Sequence, residues 1–293
     1  CVRKQVLDDG CCFERSTRYT RLMGEMLFFA GKCFAETPYK LPAEYFERLS
    51  ILGRFLDAVT NKDGRSLQVG DNDSGRVVCI SPERYDDLRL VSRLVDREIG
   101  PDAPDEAFFA EEELFYGASG RVACFPSWRG GARTFYDAGM ALARYGDWSL
   151  GFFASDGFVD ESEPGHTHND KLSFTLGFKG VPFFVDPGSG VYTRDPKVRN
   201  ILRGTAQHST LRFGNLEQNE FRGLFGYTRC GGASLDVAEA DGTVVFRGAT
   251  DCWATRLGVT HKRVVEVGSE GVAVKDDVEG AAPAVAATRS FVL

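Results

Sequence analysis

Two of the chain's four histidines stand at alternate positions in Gly165-His166-Thr167-His168-Asn169-Asp170. In extended backbone, residues two apart face the same side, so His166 and His168 can present both imidazoles to one space. Zinc favours such ligands, and a metal site needs three or four nitrogen, oxygen or sulfur donors. The downstream candidates are Asp186, in Val185-Asp186-Pro187-Gly188, and His208, in Thr205-Ala206-Gln207-His208-Ser209-Thr210. Each piece also has an ordinary structural use: an Asp before Pro-Gly is a common turn residue, and a histidine can cap a strand. The remaining histidine, His261 in Thr260-His261-Lys262-Arg263, reads as a plain strand residue. Arg194, Arg199 and Arg203 are candidates for a local cationic cluster facing an anionic ligand. Arg199 and Arg203, four apart, serve equally well as salt-bridge partners on a helix face.

The elements that must position these groups change character along the chain. From Ser16, the residues Tyr19, Leu22, Met23, Met26, Leu27 and Ala30 fall on one face of a predicted helix. Leu41-Pro42 opens a second helix, with Tyr45, Leu49, Leu52, Leu56 and Val59 on its stripe, ending at Asn61-Lys62-Asp63-Gly64. A third follows Ser81-Pro82 and carries Tyr85, Leu88, Val91, Leu94, Val95 and Ile99 up to Gly100-Pro101. From about Thr134 the pattern becomes strand-like. Leu172, Phe174, Leu176 and Phe178 alternate with polar or small residues, and Lys179-Gly180 turns into Val181–Val185, which reads as a hairpin. If strand 171–178 runs away from the histidine pair and strand 181–186 runs back, Asp186 returns close to His168. Runs at 210–213, 233–238, 243–247, 259–267 and 271–274 extend the pattern into a meander or sandwich. The boundary is expected within 117–132, around an isolated strand at 122–125, giving domains of 1–120 and 121–293.

With 293 residues and 43% hydrophobic content, the chain can bury two ordinary cores and reads as a soluble globular α+β protein. The net charge of −7 argues against nonspecific binding to nucleic acid or to an anionic membrane, which needs a basic surface. No apolar run approaches the roughly 20 residues of a membrane span. The start, Cys1-Val2-Arg3-Lys4, has neither an initiator Met nor an apolar signal core, so the sequence reads as an internal segment. The eight cysteines show no CxxC pair and no dense framework; most read as buried thiols, with a disulfide or two open.

Taken in order, His166-x-His168-x-Asp170-x-Leu172-Ser173-Phe174, Gly180-x-Pro182, Val185-Asp186-Pro187-Gly188, Tyr192, Arg199 and Thr205-x-x-His208-Ser209-Thr210 resemble the C-terminal domain of heparinase II/III-like polysaccharide lyases. Asp9-Gly10-x-x-Phe13-Glu14-x-Ser16-x-x-Tyr19 is similar to the family's segment opening a toroid helix, and Gly70-Asp71-Asn72-Asp73-Ser74-Gly75-Arg76 to a loop of some members. The resemblance implies a partial α/α toroid followed by an antiparallel β-sandwich, with an active cleft between them. It implies cleavage of a uronic-acid polysaccharide by β-elimination, with Tyr19 and His166 catalytic, and His168, Asp186 and His208 holding one zinc, most simply a structural one. Tyr192 and Arg199, within the matched motifs, and Arg203, from the cationic cluster, are read as substrate contacts; the resemblance also implies a periplasmic or secreted location, although undisulfided cysteines also suit a cytoplasm. The family's Asn or His that neutralises the uronate carboxylate lies upstream of the tyrosine segment, in a region this sequence does not contain.

The chemistry suits those residues. β-Elimination must neutralise a carboxylate, remove the C5 proton and protonate the departing O4. A tyrosine can do the last two jobs, provided that neighbouring positive charge favours its phenolate, since its unperturbed pKa is about 10. By periodicity alone, Tyr19 is a core residue of its helix. Two other classes stay open on the sequence: a glycan-binding or capsule-assembly protein that has lost the chemistry, and a zinc hydrolase in which the metal activates water.

Overall fold

Period-two alternation and tight Gly-containing turns are what sheets with one buried face require, and the computed structural model places such sheets in the C-terminal half. It describes residues 2–61, 64–78, 87–96, 99–100, 113–115, 125–126, 128, 130–155, 166–228, 231–281 and 285–293. Strands β1 (Gly131–Phe135), β2 (Met140–Tyr145), β3 (Trp148–Phe153), β4 (Ser173–Phe178) and β5 (Val181–Phe184) pair in chain order into one antiparallel sheet. Strands β6 (Ala233–Ala240), β7 (Thr243–Thr250), β8 (Val259–Gly268) and β9 (Gly271–Gly280) form a second antiparallel meander.

The two sheets share one core, in which Leu150, Phe152, Phe174 and Leu176 meet Val244, Phe246, Val265 and Val267. Phe152 stacks on Phe246 with ring centroids 5.9 Å apart. Gly248 makes this approach possible: a Cβ there would lie 2.4 Å from Leu172 Cδ2 and 3.0 Å from the Phe152 ring. The result is an antiparallel β-sandwich. Two hairpins close on left-handed pairs, Lys179-Gly180 (φ 51° and 79°) and Asp241-Gly242 (φ 50° and 72°), the backbone that two-residue hairpin turns of the twisted-strand type demand. The strand entering the first begins at Ser173, two residues later than the expected 171, because Leu172 with φ 58° ends the preceding loop. A register shift at Leu176/Gly177 then brings Phe184 opposite Leu176.

The N-terminal half is helical: α1 (Thr17–Ala35), α2 (Ala43–Ala58) and α3 (Arg89–Val95). In α2 the expected stripe is buried, with Tyr45, Leu49, Leu52 and Leu56 each at most 8% exposed. Helix α1 differs. Its buried face is Thr17, Arg18, Thr20, Arg21, Gly24, Glu25 and Phe28, while Met26 is 52% exposed. The reason is a polar segment laid along that face: the Arg21 guanidinium donates to the Gly75 carbonyl (2.6 Å), Glu25 accepts from the Val77 amide (2.6 Å) and pairs with Arg76. Gly24 lets α2 and α3 come close, since a Cβ there would sit 2.9 Å from Leu52 and 3.4 Å from Val91. The third helix is shorter than expected among the described residues: Asp96 leaves helical backbone and Ile99 pairs as a strand with Phe125.

The chain divides into two compact units. The helical unit comprises Cys1–Phe13, Thr17–Leu67 and Ser74–Arg129; the strand-rich unit comprises Glu14–Ser16, Gln68–Asp73 and Gly130–Leu293. Most of the expected boundary stretch, including residues 122–124 of its isolated strand, lies outside the described residues. So do Cys1, Cys79, Cys124 and Cys230; the described cysteines are free thiols, buried at Cys11, Cys12 and Cys252 and exposed at Cys33. Among the described residues no helix is long and apolar enough to cross a membrane.

The sandwich also buries charge away from the histidine pair. Arg263, 1% exposed, grips Asp276 through Nε (2.6 Å) and Nη2 (2.9 Å), and its Nη1 donates to the carbonyls of Leu172 (2.7 Å) and Ser209 (2.5 Å). Burial works against the Asp276 carboxylate, but hydrogen bonds from His261 and Arg263 outweigh it and hold the group well below the usual carboxylate range. A depressed carboxylate contributes stability above its unfolded pKa and loses it as the pH falls through the folded value. Urea denaturation is therefore expected to show stability falling below about pH 4. Asp276→Ala, which leaves Arg263 uncompensated, is expected to cost about 3–5 kcal/mol near neutral pH; a loss under 1 kcal/mol contradicts the assignment.

Candidate functional site

The segment entering β4 carries His166 and His168, and a polar clamp fixes its backbone. Asn169 Nδ2 donates to Glu217 (2.8 Å) and to the Asn219 carbonyl (2.9 Å), and the Asn219 amide returns a bond to Asn169 Oδ1 (3.0 Å). Gln218 accepts from the Lys171 amide (2.8 Å) and donates to its carbonyl (2.9 Å). The same Glu217 accepts from the amide (2.7 Å) and hydroxyl (2.9 Å) of Thr205, which opens the 3₁₀ turn leading to His208. One carboxylate thus locates both histidine-bearing segments. The β4–β5 hairpin delivers Asp186, whose Oδ1 accepts from the Gly188 amide (2.7 Å), a local Asx turn that leaves Oδ2 to face His208 Nδ1 at 3.1 Å.

His168, Asp186 and His208 come together as the sequence anticipated: each offers one ligand atom, and these atoms lie within 4.8 Å of one another. Side chains here are 0–3% exposed. His168 Nδ1 and His208 Nε2 are buried ring nitrogens with no hydrogen-bond partner. Buried polar atoms are ordinarily satisfied, so two orphaned imidazole nitrogens beside a buried carboxylate are a donor set suited to a metal ion such as zinc, and this group could hold one. Burial opposes charge on both members of the Asp186–His208 pair, yet each favours the other's charged form, so Asp186 lies below its ordinary value and His208 above it. Asp170, close by, is pushed up by burial.

The residue that sequence reasoning assigned no role is Asp71. Its side chain is fully buried; Oδ1 lies 3.0 Å from His168 Nε2, Oδ2 lies 2.9 Å from His166 Nδ1, and Arg199 pairs with it through Nη2. Burial alone would raise its pKa, but hydrogen bonds from the two histidines and the neighbouring Arg199 guanidinium hold it well below the carboxylate range. The only sequence signal was its place in the Gly70–Arg76 loop. Gly70 is required there, since at φ 71° a Cβ would meet the His166 carbonyl oxygen at 2.4 Å, and the Asp71 amide donates to that oxygen (2.7 Å).

His166 stands apart from the ligand cluster. Its Nδ1 is shared between Asp71 and the Tyr192 hydroxyl (2.9 Å), its Nε2 faces Glu14 at 3.3 Å, and its ring lies against Tyr192 and Phe225. Arg199 and Arg203, expected to contact substrate, are instead 0% exposed and engaged by protein. Arg199 lies over Phe225 (4.4 Å) and Tyr192 (5.5 Å) and bonds the Leu224 carbonyl; Arg203 lies over Phe221 (4.4 Å) and Tyr227 (4.6 Å) and donates to the Gly223 carbonyl (2.7 Å) and Asn200 (2.8 Å). A buried guanidinium must satisfy its donors locally, and the helix α4 (Pro196–Leu202) that carries Arg199 turns it inward. Arg194 is exposed, Tyr192 is half-buried, and Tyr19 is half-buried in the first turn of α1.

Burial disfavours the His166 imidazolium, but the hydrogen bonds it donates to Asp71 and Glu14 outweigh it and push its pKa up to about 9. A raised histidine stabilises the fold fully below its unfolded value and loses that contribution as the pH rises through about 9. Histidine NMR is expected to find this ring still protonated at pH 8; a midpoint near 6.5 contradicts the arrangement.

The heparinase II/III-like, C-terminal family matches residues 129–291. No curated protein matches the chain. Solved structures of similar fold include a heparinase III gene product (TM-score 0.68, 19% identity, 96% of this chain and 40% of that one) and the heparan sulfate lyase HepC from Pedobacter heparinus (TM-score 0.66, 21% identity, 96% and 40%). A further heparinase III aligns with TM-score 0.64 and 18% identity, over 96% of this chain and 42% of that one. The chain thus spans about 40% of the length of the solved structures it resembles. With its sandwich matched along more than half of its length, the chain belongs to the heparinase II/III-like, C-terminal family.

Proposed function

We propose that the chain forms part of a polysaccharide lyase that cleaves a uronate-containing anionic glycan by β-elimination, with one structural zinc in its sandwich. The observation that carries this reading is the buried His168/Asp186/His208 cluster beside a separately held His166, within a domain of this family. His168, Asp186 and His208 would hold the zinc. When bound, the metal supplies a cross-link among the 166–171 segment, the turn at 185–188 and the 205–210 loop.

In the reaction, a base removes the C5 proton, the electrons of that bond form the C4=C5 double bond, and the C4–O4 bond breaks with protonation of O4. Tyr19 is assigned the proton transfers, taking the C5 proton as phenolate and returning a proton to the leaving oxygen. His166, cationic at neutral pH through Asp71 and Glu14, is assigned to the developing negative charge on the sugar. Tyr192, hydrogen-bonded to His166, is assigned to the substrate. Arg199 and Arg203 act by holding this cluster rather than by touching the glycan. An extracellular anionic glycan also fits a periplasmic or secreted location.

Elemental analysis of the purified chain is expected to find about one zinc per molecule, lost in the His168→Ala, Asp186→Ala double variant; no metal in either contradicts the metal reading. The full-length protein is expected to release ultraviolet-absorbing unsaturated uronates from one of heparan sulfate, alginate, hyaluronan or chondroitin sulfate. Tyr19→Phe is expected to lower that rate about 10²–10⁴-fold. Glycan binding without turnover, unchanged by Tyr19→Phe, would identify a non-catalytic binding protein, and saturated products would identify a hydrolase.

A further inference from the structure

We propose that Asp71 is the positioning residue of this site, with one carboxylate oxygen aiming His168 at the metal and the other holding His166. The inference rests on the metal reading above and adds to it a residue outside the ligand set.

The geometry runs from His168 outward. Its Nε2 faces Asp71 Oδ1 at 3.0 Å, with both side chains 0% exposed. An ionised carboxylate only accepts hydrogen bonds, so the ring proton must sit on Nε2. In the neutral ring, the form that ligates a metal, that leaves the Nδ1 lone pair free, and Nδ1 is the buried nitrogen without a hydrogen-bond partner. A carboxylate behind a ligating histidine fixes its tautomer and ring orientation and increases its basicity.

Asp71 cannot swing away from this duty. Its Oδ2 is held by His166 Nδ1 (2.9 Å) and by Arg199, while its backbone is fixed by the amide bond to the His166 carbonyl (2.7 Å) and by the Ser16 hydroxyl on its own carbonyl (2.7 Å). Arg199 in turn is packed over Phe225 and Tyr192. Every bond that aims His168 therefore also fixes His166, although the latter offers nothing to the metal. The same carboxylate sets both rings, so a change at Asp71 moves both.

The first test uses the wild-type chain, where only four histidines crowd the spectrum. Long-range ¹H–¹⁵N spectra of the metal-free protein are expected to show His168 with its proton on Nε2, and added zinc is expected to shift Nδ1 of that ring. A proton on Nδ1, or a zinc shift at Nε2, overturns the inference even if no variant folds. The second test compares zinc affinity by chelator competition in the wild type and in Asp71→Asn, which keeps the side chain's size. A loss of about 10–100-fold, with altered His166 resonances in the metal-free variant, supports the proposal. Equal affinity with unchanged His166 signals overturns it while leaving the metal site intact. A wild-type chain that binds no zinc overturns the metal reading and this inference together.

Discussion

A carboxylate taken out of water must be surrounded by donors or give up its charge, and the surroundings of Asp71 follow from that demand. It is fully buried, and its two oxygens meet two imidazoles and a guanidinium. Removing Arg199 would leave Asp71 without its guanidinium in a low-dielectric interior, where a broken pair is far more costly than an intact one is stabilising. The aromatic groups follow from the same requirement. Phe225 and Tyr192 cover the Arg199 guanidinium, which keeps water from competing for the carboxylate. The pairing of Asp276 with Arg263, His261 and Arg289 repeats this solution on the second sheet, where the described residues form no metal-type cluster around it.

Backbone order around the site has a different source. Glu217, Gln218 and Asn219 bind the 169–171 segment mostly through amide groups and through the backbone, so they set positions without adding a second buried charge next to the metal-type cluster. Glu217 is the exception, and it is answered by three donors from Asn169 and Thr205. The division is physically sensible: neutral bonds fix the chain, and charged groups tune the rings.

How much of this was legible in the sequence depended on the range of the interaction. His168 and Asp186 were readable because a hairpin of known turn chemistry relates them, and Lys179-Gly180 has the residue types that turn needs. His208 was readable as a candidate by its residue type, but nothing local places it beside His168, and the ordered motif was what tied it to the site. Asp71 was not, since it acts across 95 and 97 residues on the two histidines, and nothing local distinguishes its loop from an ordinary Gly/Asp turn. The buried face of α1 was misread for a related reason. Periodicity reports which face is apolar, whereas burial followed the polar partners at Gly75, Arg76 and Val77, which no helical period encodes. Arg199 and Arg203 read equally as ligand contacts or as helix-face salt-bridge partners, and the aromatic cover that holds both inside comes from residues 221–227 and Tyr192, which no local pattern ties to them.

The strand-rich unit is assembled from three stretches of chain, and the short ones, Glu14–Ser16 and Gln68–Asp73, bring Glu14 and Asp71. Its modularity is therefore not linear. An exchange of genetic material that cuts once, near residue 130, would transplant the histidines and leave behind the acid that answers them. Inherited shuffling of this sandwich onto new partners can succeed only where the recipient supplies an equivalent loop, so the sandwich and its upstream loops are expected to travel through evolution as one heritable block.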